Sequence, residues 1–320
     1  MSFGIAGIFK TAEQKNVRQM LDKISHRGQL GPEIIETNNA TIGIIYSAIE
    51  SDLIKYLKDN KFPDNLFPVQ IKNNNLILER DALGKTPMYY GLTDDNIFCF
   101  GSEVKSLLVK TCNVYEFPPG YSYENNNFIQ KHIYQKQPAK IQDAQIIADE
   151  LRQLLSNTIK SQIKNNIAGA WLSGGLDSSA IAGLACKHTK ELHTFAIGLS
   201  NSPDLRFARI AADYLQSHNQ NLYRHHEVIV DMKDILQNLP DAIYHLESFD
   251  ALLVRSSVTN YIISKTAAEF VSEVFSGEGG DELFAGYSYL KTLNPLFLED
   301  ELIDITVSYT HLTLPTIYSV

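Results

Sequence analysis

Leu172-Ser173-Gly174-Gly175-Leu176-Asp177-Ser178-Ser179 stands between an apolar segment, residues 167–172, and a segment with helical periodicity. The two adjacent glycines allow the backbone to approach a ligand closely, and the free N–H groups that begin the next helix attract anions. Asp177 adds a carboxylate, which suits an anion site when Mg²⁺ lies between the two charges. A capped helix start would explain Ser-Gly-Gly alone, but the whole octapeptide predicts a polyphosphate loop. It is not a Walker A loop, because the chain contains no GxxxxGK[ST] segment.

The segments around this loop alternate between strand and helix patterns. Strands are predicted at residues 167–172, 192–198, 226–230 and 271–276, and helices at 146–163, 178–188, 204–215, 232–239 and 253–267. The apolar face of the first helix consists of Ile147, Leu151, Leu154, Leu155 and Ile159. This alternation predicts a parallel sheet with helices on both faces, in which ligands bind at the carboxyl ends of the strands.

A second glycine-rich cluster, Ser276-Gly277-Glu278-Gly279-Gly280-Asp281-Glu282, follows the last predicted strand. A solvated turn is the alternative interpretation. However, both clusters lie at the same edge of the predicted sheet, and each has an aspartate that can bind a metal ion. We therefore interpret them as two sides of one nucleotide–Mg²⁺ site.

Residues 1–125 show a different pattern, with short extended runs separated by turns. Runs at 4–9, 40–47, 66–80 (interrupted at 73–75) and 97–101 predict antiparallel strands, whereas 17–25 and 51–58 predict helices. The polar stretch 125–142 predicts a linker. The chain is therefore assigned to the α/β class, with an α+β region ahead of the parallel sheet.

The composition is that of an ordinary globular protein. The 320 residues suffice for two domains. No apolar run reaches the ~18 residues that span a bilayer, and the start lacks a signal-peptide pattern, so we expect a cytoplasmic protein with no membrane partner. The net charge of −9 argues against a nucleic-acid partner. Cys99, Cys112 and Cys186 are too scattered for a disulfide framework, and the spacing around His225 and His226 favours a structural role at a strand edge over metal binding.

Both glycine-rich clusters resemble segments of a known family. Residues 173–178 resemble the pyrophosphate loop of the N-type ATP pyrophosphatases, the PP-loop superfamily. Residues 276–282, followed by Phe284-Ala285-Gly286-Tyr287, resemble asparagine synthetases, as do residues 193–198, 202–205, 225–227 and 243–250. The resemblance covers about residues 1–305. It implies a degenerate class II glutamine amidotransferase-like domain of the Ntn-hydrolase type at 1–125, a linker at 126–145, and a synthetase domain of adenine nucleotide α hydrolase-like fold at 146–307.

The resemblance also implies an activity. In that family ATP activates the β-carboxylate of aspartate as an acyl-adenylate, and ammonia then displaces AMP. ATP and Mg²⁺ are the implied cofactors, with Asp177 and Asp281 as magnesium ligands and Glu278 as the glutamate important for forming the adenylate. Positions matching those that bind pyrophosphate or nucleoside are Leu172, Ser173, Gly174, Gly175, Asp177, Ser178, Ser179, Ile197, Ser276 and Gly277. Arg255 is a candidate for binding the aspartate carboxylate, although a salt-bridged helix surface explains it equally well.

The N-terminal domain departs from the family at its nucleophile. Glutamine-dependent members begin with Met-Cys, whereas this chain has Phe3 at that position and Ser2 one position out of register. A serine there would be a far weaker nucleophile than a thiolate. Segments at 25–28, 80–90, 101–108 and 117–120 are retained, but the Asn-Gly-Glu segment that binds glutamine has no counterpart. We expect a scaffold without glutaminase chemistry, supplied with free ammonia or with an amine delivered by a partner or substrate.

The end of the chain carries a further expectation. Residues 308–320 follow abruptly on an acidic segment and resemble translated sequencing adapter, so we interpret them as a non-native tail. The family's synthetase domain continues well past the segment at 286–287 and supplies a lysine to the pyrophosphate. We therefore expect an incomplete synthetase domain, and a 320-residue chain that binds ATP weakly and does not turn over.

Other interpretations stay open at this point. β-Lactam synthetases and peptide-cyclising ligases also adenylate a carboxylate but use an internal amine, and β-lactam formers typically carry Tyr where Glu278 stands. A tRNA-modifying thiolase would require paired cysteines and a basic face, which the sequence lacks. Asp177, Glu278 and Asp281 argue against a non-catalytic remnant of the family. The sequence leaves the oligomeric state open, and a homodimer is compatible with it.

Overall fold

The computed structural model describes residues 3–47, 68–133, 143–163, 166–219 and 221–313, with side chains described as far as Ile305. The chain divides into two compact units, one built on Met1–Gln135 with Ile303–Ser319 and the other on Lys136–Leu302. The helix predicted at 51–58 lies outside the described residues, as do the last seven residues of the predicted tail.

The first unit contains two antiparallel sheets. Its strands are β1 Phe3–Ile8, β2 Leu30–Glu36, β3 Thr41–Tyr46, β4 Val69–Lys72, β5 Asn75–Glu79, β6 Tyr89–Leu92, β7 Phe98–Gly101, β8 Val114–Glu116, β9 Tyr121–Glu124 and β10 Asn127–Gln130. The sheets have the orders β2-β3-β1-β7-β6-β8 and β10-β9-β5-β4. The α-helices that lie entirely within the described residues of this unit are α1 Gln14–Asp22 and α2 Val104–Leu107. The antiparallel pattern predicted for this region is confirmed.

Strand β1 shows why this unit packs on both faces of its larger sheet. Every residue of the strand is buried, and successive side chains point to opposite faces. Phe3 and Ile5 join the core that also contains Leu76 and Leu78 of β5. Ala6 and Ile8 join a separate core with residues of α1. The α1 helix therefore covers one face of the sheet, and the second sheet covers the other.

The predicted linker is wrong over its first residues. Asn127–Gln130 is strand β10, which pairs with Tyr121–Glu124. The two residues between these strands, Asn125 and Asn126, have φ values of 51° and 61°. Positive φ at both central residues is the conformation of a two-residue hairpin turn, which asparagine tolerates well. A polar composition is therefore not enough to distinguish a linker from a hairpin in this segment.

The second unit contains the predicted parallel sheet, in the order β13-β12-β11-β14. Its elements are α3 Ala144–Gln162, β11 Ile167–Trp171, α4 Leu176–His188, β12 Glu191–Gly198, α5 Pro203–His218, β13 Leu222–Ile229, α6 Met232–Leu246, α7 Ala251–Ala267, β14 Val274–Phe275, α8 Gly280–Phe284 and the first residues of α9 Pro295–Thr313, which from Ile303 onward is grouped with the first unit. All three strand pairs are parallel. The α/β fold class is confirmed.

Helices cover both faces of this sheet. Ala168 and Ala170 of β11 lie in one core with residues of α4 and α5, whereas Phe195 of β12 lies in a second core with Ile263 and Ala267 of α7. The small side chains of β11 let α4 approach the sheet closely, and α4 begins directly after the glycine pair. The sheet thus fixes the direction in which the N-terminus of α4 points.

Two helices differ from their predicted form. The predicted apolar face of α3 is buried at Ile159 alone, while Ile147 and Leu154 are 47% and 65% exposed. Among the described residues, α3 therefore meets the core only through its C-terminal half. Helix α6 continues past Pro240, where a stop was predicted, and stacking of His245 on Tyr261 of α7 supports its last turns.

The described part of the chain has no helix that combines enough length with enough apolar character to cross a bilayer.

Candidate nucleotide–magnesium site

Two loops lie side by side at the carboxyl edge of the parallel sheet. The phosphate loop, residues 173–178, follows β11, and the acidic loop, residues 276–282, follows β14. Strands β11 and β14 are direct neighbours, with Ala170 paired to Phe275. The sheet register therefore brings the two predicted loops together at one edge.

Gly174 fixes the shape of the phosphate loop. Its φ is +81°, and a Cβ atom at this position would lie 2.3 Å from the backbone carbonyl carbon of Phe207 in α5. Any other residue would therefore be strained and would collide with main chain. Gly175 has a φ of −71°, and a Cβ there would meet only the Ser173 hydroxyl, at 3.4 Å. The two glycines therefore differ: the protein itself requires Gly174, whereas Gly175 leaves open space for a ligand.

The phosphate loop presents hydrogen-bond donors at the start of α4. Gly175 is the N-cap residue and provides no side-chain cap, so no N-cap side chain occupies the N–H groups of the first helical turn. The hydroxyl oxygens of Ser173 and Ser178 lie 3.0 Å apart. Backbone N–H groups, hydroxyls and the positive end of the helix dipole together suit a phosphate group.

The acidic loop touches the phosphate loop through two glycines. A Cβ atom at Gly277 would lie 2.8 Å from the backbone nitrogen of Ser178 and 2.9 Å from the carbonyl carbon of Asp177. One at Gly280 would lie 2.7 Å from Cγ of Asp177. The Asp177 side chain is therefore in van der Waals contact with the loop that carries Asp281.

The electrostatics of this contact favour a cation. Burial, followed by the negative charges of Asp281 and Glu282, raises the pKa of Asp177. Carboxylate oxygens are hard ligands that suit Mg²⁺. Among the described residues, no group of three or more His, Cys, Asp or Glu could hold a metal ion by itself. A carboxylate at Asp177 beside a loop of phosphate donors is the type of donor set with which proteins commonly bind Mg²⁺, through one or two carboxylates together with substrate phosphates.

Sequence reasoning missed two residues beside this contact. Glu282 is 2% exposed although it is an acid, and the Tyr287 hydroxyl donates a hydrogen bond to its carboxylate. Burial, followed by the hydrogen bond and negative charge of Glu282, raises the pKa of Tyr287. The signal in the sequence was an acid inside a glycine-rich cluster with a tyrosine five positions later.

The other predicted nucleotide-binding residues lie at the same edge. Leu172 is buried, and its N–H donates to the Phe195 carbonyl at 2.9 Å. Ile197 is partly buried near the end of β12. The Ser276 hydroxyl accepts from the Glu278 backbone N–H at 3.1 Å, and the Ser179 N–H donates to the Gly175 carbonyl at 3.1 Å.

Two further predictions concern Arg255 and the neighbouring histidines His225 and His226. Arg255 is exposed in the first turns of α7, and its role at a substrate carboxylate stays a prediction. His226 hydrogen-bonds to His193 at 3.0 Å and stacks on Phe195 at a centroid distance of 4.8 Å. His225 hydrogen-bonds to Thr194 at 2.9 Å. Both histidines lie on β13, an edge strand of the sheet.

Phe3 and Cys99 both lie in the interior of the first unit. The side chain of Phe3, the residue predicted to stand at the nucleophile position, is 3% exposed within the hydrophobic core. Cys99 is buried on β7, and burial raises the pKa of its thiol to about 11. A thiol with that pKa is not ionised near neutral pH, so Cys99 is not an activated nucleophile.

Comparisons with known families agree with this geometry. Residues 150–308, which contain both loops, match the family described as asparagine synthase. The chain carries an asparagine synthase domain. Residues 67–160 match the glutamine amidotransferase domain family, so that domain precedes the asparagine synthase domain, as predicted.

Named relatives of the asparagine synthase domain are similar over much of this chain. A probable glutamine-hydrolysing asparagine synthetase from Dictyostelium discoideum is 32% identical over 241 residues, which cover 68% of this chain and 42% of that protein. Asparagine synthetase B from Escherichia coli is 33% identical over 245 residues, covering 70% of this chain and 43% of that protein. The chain thus spans less than half the length of these relatives.

Solved structures are less similar to this chain in sequence than these relatives. An NH3-dependent NAD synthetase from Campylobacter jejuni matches at 20% identity, with a TM-score of 0.31, over 46% of this chain and 62% of that one.

Proposed function

We propose that this chain provides the nucleotide site of an ATP-dependent, amide-forming ligase that adenylates the side-chain carboxylate of aspartate. The observation that carries the proposal is the contact between the two loops, in which Gly277 and Gly280 bring the acidic loop onto Asp177. Donors for phosphate lie on one side of the contact and carboxylates on the other. The match of residues 150–308 to the asparagine synthase family supports the same reaction class.

In the proposed reaction each loop has a separate task. The N–H groups at the start of α4 and the hydroxyls of Ser173 and Ser178 bind the β- and γ-phosphates of ATP, so that they stabilise pyrophosphate as it leaves. Asp177 and Asp281 would hold Mg²⁺, which when bound neutralises charge on those phosphates. A carboxylate oxygen of aspartate attacks the α-phosphorus and releases pyrophosphate. Glu278, which is exposed in the acidic loop, then orients or deprotonates the amine, which attacks the acyl carbon and displaces AMP.

Hydroxylamine trapping tests this reaction in the full-length protein. With ATP, Mg²⁺, aspartate and hydroxylamine, we expect aspartyl hydroxamate and AMP in equal amounts. The variant Asp281→Asn should reduce both by at least about tenfold, because one of the two metal ligands loses its charge. Hydroxamate formation from other carboxylates but not from aspartate, or ADP in place of AMP, would contradict the proposal.

We also propose that the amine is ammonia, or an amine delivered by a partner or substrate, and that the first unit does not hydrolyse glutamine. Phe3 fills the nucleophile position with a buried aromatic side chain, and the Cys99 thiol stays protonated because burial raises its pKa. With glutamine as the only nitrogen source, we expect no glutamate above the rate without enzyme, while ammonium salts support amide formation. Glutamate release that depends on the protein would refute this prediction.

A further inference from the structure

Helix α8 carries Asp281 but is too short to hold its own position. It contains five residues, Gly280–Phe284, and isolated helices shorter than about 12 residues are marginal in water. The chain turns back at Ala285, which has a φ of 55°, and the Gly286 N–H donates to the Asp281 carbonyl at 2.9 Å. Something beyond helix propensity must therefore hold α8 in place.

The hydrogen bond between Glu282 and Tyr287 is that anchor. The Glu282 side chain is nearly inaccessible to solvent, and a buried carboxylate is costly unless it is hydrogen-bonded. Tyr287 follows the turn at Ala285, and its hydroxyl donates a hydrogen bond to the Glu282 carboxylate. The bond closes a loop of six residues around the turn and links the middle of α8 to the segment that follows the helix.

Without this anchor, the charges at the site would push α8 away. Asp281 and Glu282 are consecutive acids on α8, and the carboxylate of Asp177 lies against Gly280, the first residue of that helix. Carboxylates that share a small volume repel one another until a cation enters. At the same time Gly280 lies in contact with the Asp177 carboxylate, so a small shift of α8 would open the space between the two proposed metal ligands.

We propose that Tyr287 and Glu282 are a positioning pair, whose hydrogen bond holds α8 so that Asp281 faces Asp177 before Mg²⁺ and nucleotide bind. The inference rests on the proposed function, because it assigns the pair to the same magnesium–nucleotide site. Neither residue touches substrate in this role. Their contribution is to make the site ready for a cation in spite of its own charge.

Tyr287→Phe tests the pair, because it keeps the ring and removes the hydroxyl. Binding of a fluorescent ATP analogue is titrated with Mg²⁺, and we expect the Mg²⁺ concentration at half-saturation to rise by about tenfold, as for loss of a hydrogen bond to a charged group. Nucleotide affinity at saturating Mg²⁺ should change by less than about twofold. The matched control is Tyr289→Phe, which removes an exposed hydroxyl bonded to Glu301 at 3.1 Å and should leave both quantities unchanged.

Glu282→Gln separates positioning from charge. The amide oxygen of glutamine still accepts from Tyr287, so the half-saturating Mg²⁺ concentration should stay much closer to the wild-type value than in Tyr287→Phe. Equal Mg²⁺ dependence in wild type and Tyr287→Phe would overturn the inference while leaving the proposed function standing. A wild-type protein whose nucleotide binding ignores Mg²⁺ would overturn both. Thermal unfolding of each variant shows whether a loss of binding reflects a loss of folding.

Discussion

Gly174→Ala is expected to weaken Mg²⁺–ATP binding by at least ~20-fold, at about 1.4 kcal/mol for each factor of ten. Gly174 has a φ of +81°, and a left-handed conformation costs other residues ~1–2 kcal/mol. The added Cβ would also lie 2.3 Å from the Phe207 carbonyl carbon, and overpacking of this kind costs ~1–3 kcal/mol. Because the collision is with main chain of α5, the phosphate loop must move and its donors lose their alignment.

Gly175→Ala is the matched control for the effect of Gly174→Ala on folding stability, because Gly175 is itself part of the proposed binding loop. Gly175 has a φ that alanine adopts without strain, and its Cβ would meet only the Ser173 hydroxyl. We expect the thermal unfolding midpoint of Gly175→Ala to equal or slightly exceed that of wild type, because alanine restricts the unfolded chain. Gly174→Ala should lower it. Titration of a fluorescent ATP analogue measures both affinities, and equal affinity of Gly174→Ala and wild type would contradict the proposed loop geometry.

Glu103→Gln is expected to lower the free energy of unfolding of the first unit by about 3–5 kcal/mol, the usual cost of removing one partner from a buried ion pair. The Glu103 side chain is fully buried, and its carboxylate pairs with Arg27, His26 and Lys105. Arg27 is itself buried, so the substitution leaves its charge without this counter-ion. The control Glu124→Gln breaks the partly exposed pair with Lys131 and should cost less than about 1 kcal/mol.

The same carboxylate gives the first unit a dependence on pH. Burial alone would raise the pKa of Glu103, but the hydrogen bond from His26 and the charges of Arg27 and Lys105 hold it well below the usual 4.5. A carboxyl group whose pKa is lower in the folded than in the unfolded state stabilises the folded state when the pH is above its unfolded-state pKa. That contribution is lost as the pH falls from the unfolded-state pKa through the folded-state pKa. Urea unfolding followed by tyrosine circular dichroism should therefore show stability falling below pH 4.5 in wild type, and falling less in Glu103→Gln.

Trp171 provides an internal reference for these experiments. It is the only tryptophan of the chain and lies in β11 of the second unit. Its fluorescence therefore follows the second unit, whose unfolding midpoint should be the same in wild type and Glu103→Gln. Tyrosines lie in both units, so the tryptophan signal decides: an altered tryptophan midpoint in Glu103→Gln would contradict the assignment of the effect to the first unit.

The sequence predicts the parts of this molecule that depend on local chemistry. The strand–loop–helix at residues 172–179 and the second loop at 276–282 are recognisable because glycine pairs and carboxylates after apolar strands have few other uses. That both loops meet follows from the rule that parallel strands end at one edge. The register that makes β11 and β14 neighbours is a tertiary property, and the contact of Gly277 with Ser178 could not be read from spacing.

The remaining features depend on the tertiary contacts of a helix, strand or turn, which its own sequence does not specify. The hairpin at Asn125 and Asn126 was visible as a turn signal but was outweighed by polar composition. The apolar face of α3 predicts burial, yet only its C-terminal half meets the described core, because periodicity indicates which residues share a face and not what covers it. The bond between Glu282 and Tyr287 forms across a left-handed turn at Ala285, which no residue-type preference predicts for alanine.

The two loops are proposed to bind ATP for attack on its α-phosphorus by a substrate carboxylate, and isotope transfer measures that step directly. Aspartate labelled with ¹⁸O in its side-chain carboxylate is converted with ATP, Mg²⁺ and ammonia by the full-length protein, and the nucleotide product is analysed by mass spectrometry. The acyl-adenylate mechanism predicts AMP that carries one ¹⁸O, because the attacking oxygen leaves with the phosphate when the amine displaces it. Unlabelled AMP, or label in inorganic phosphate formed together with ADP, would contradict it.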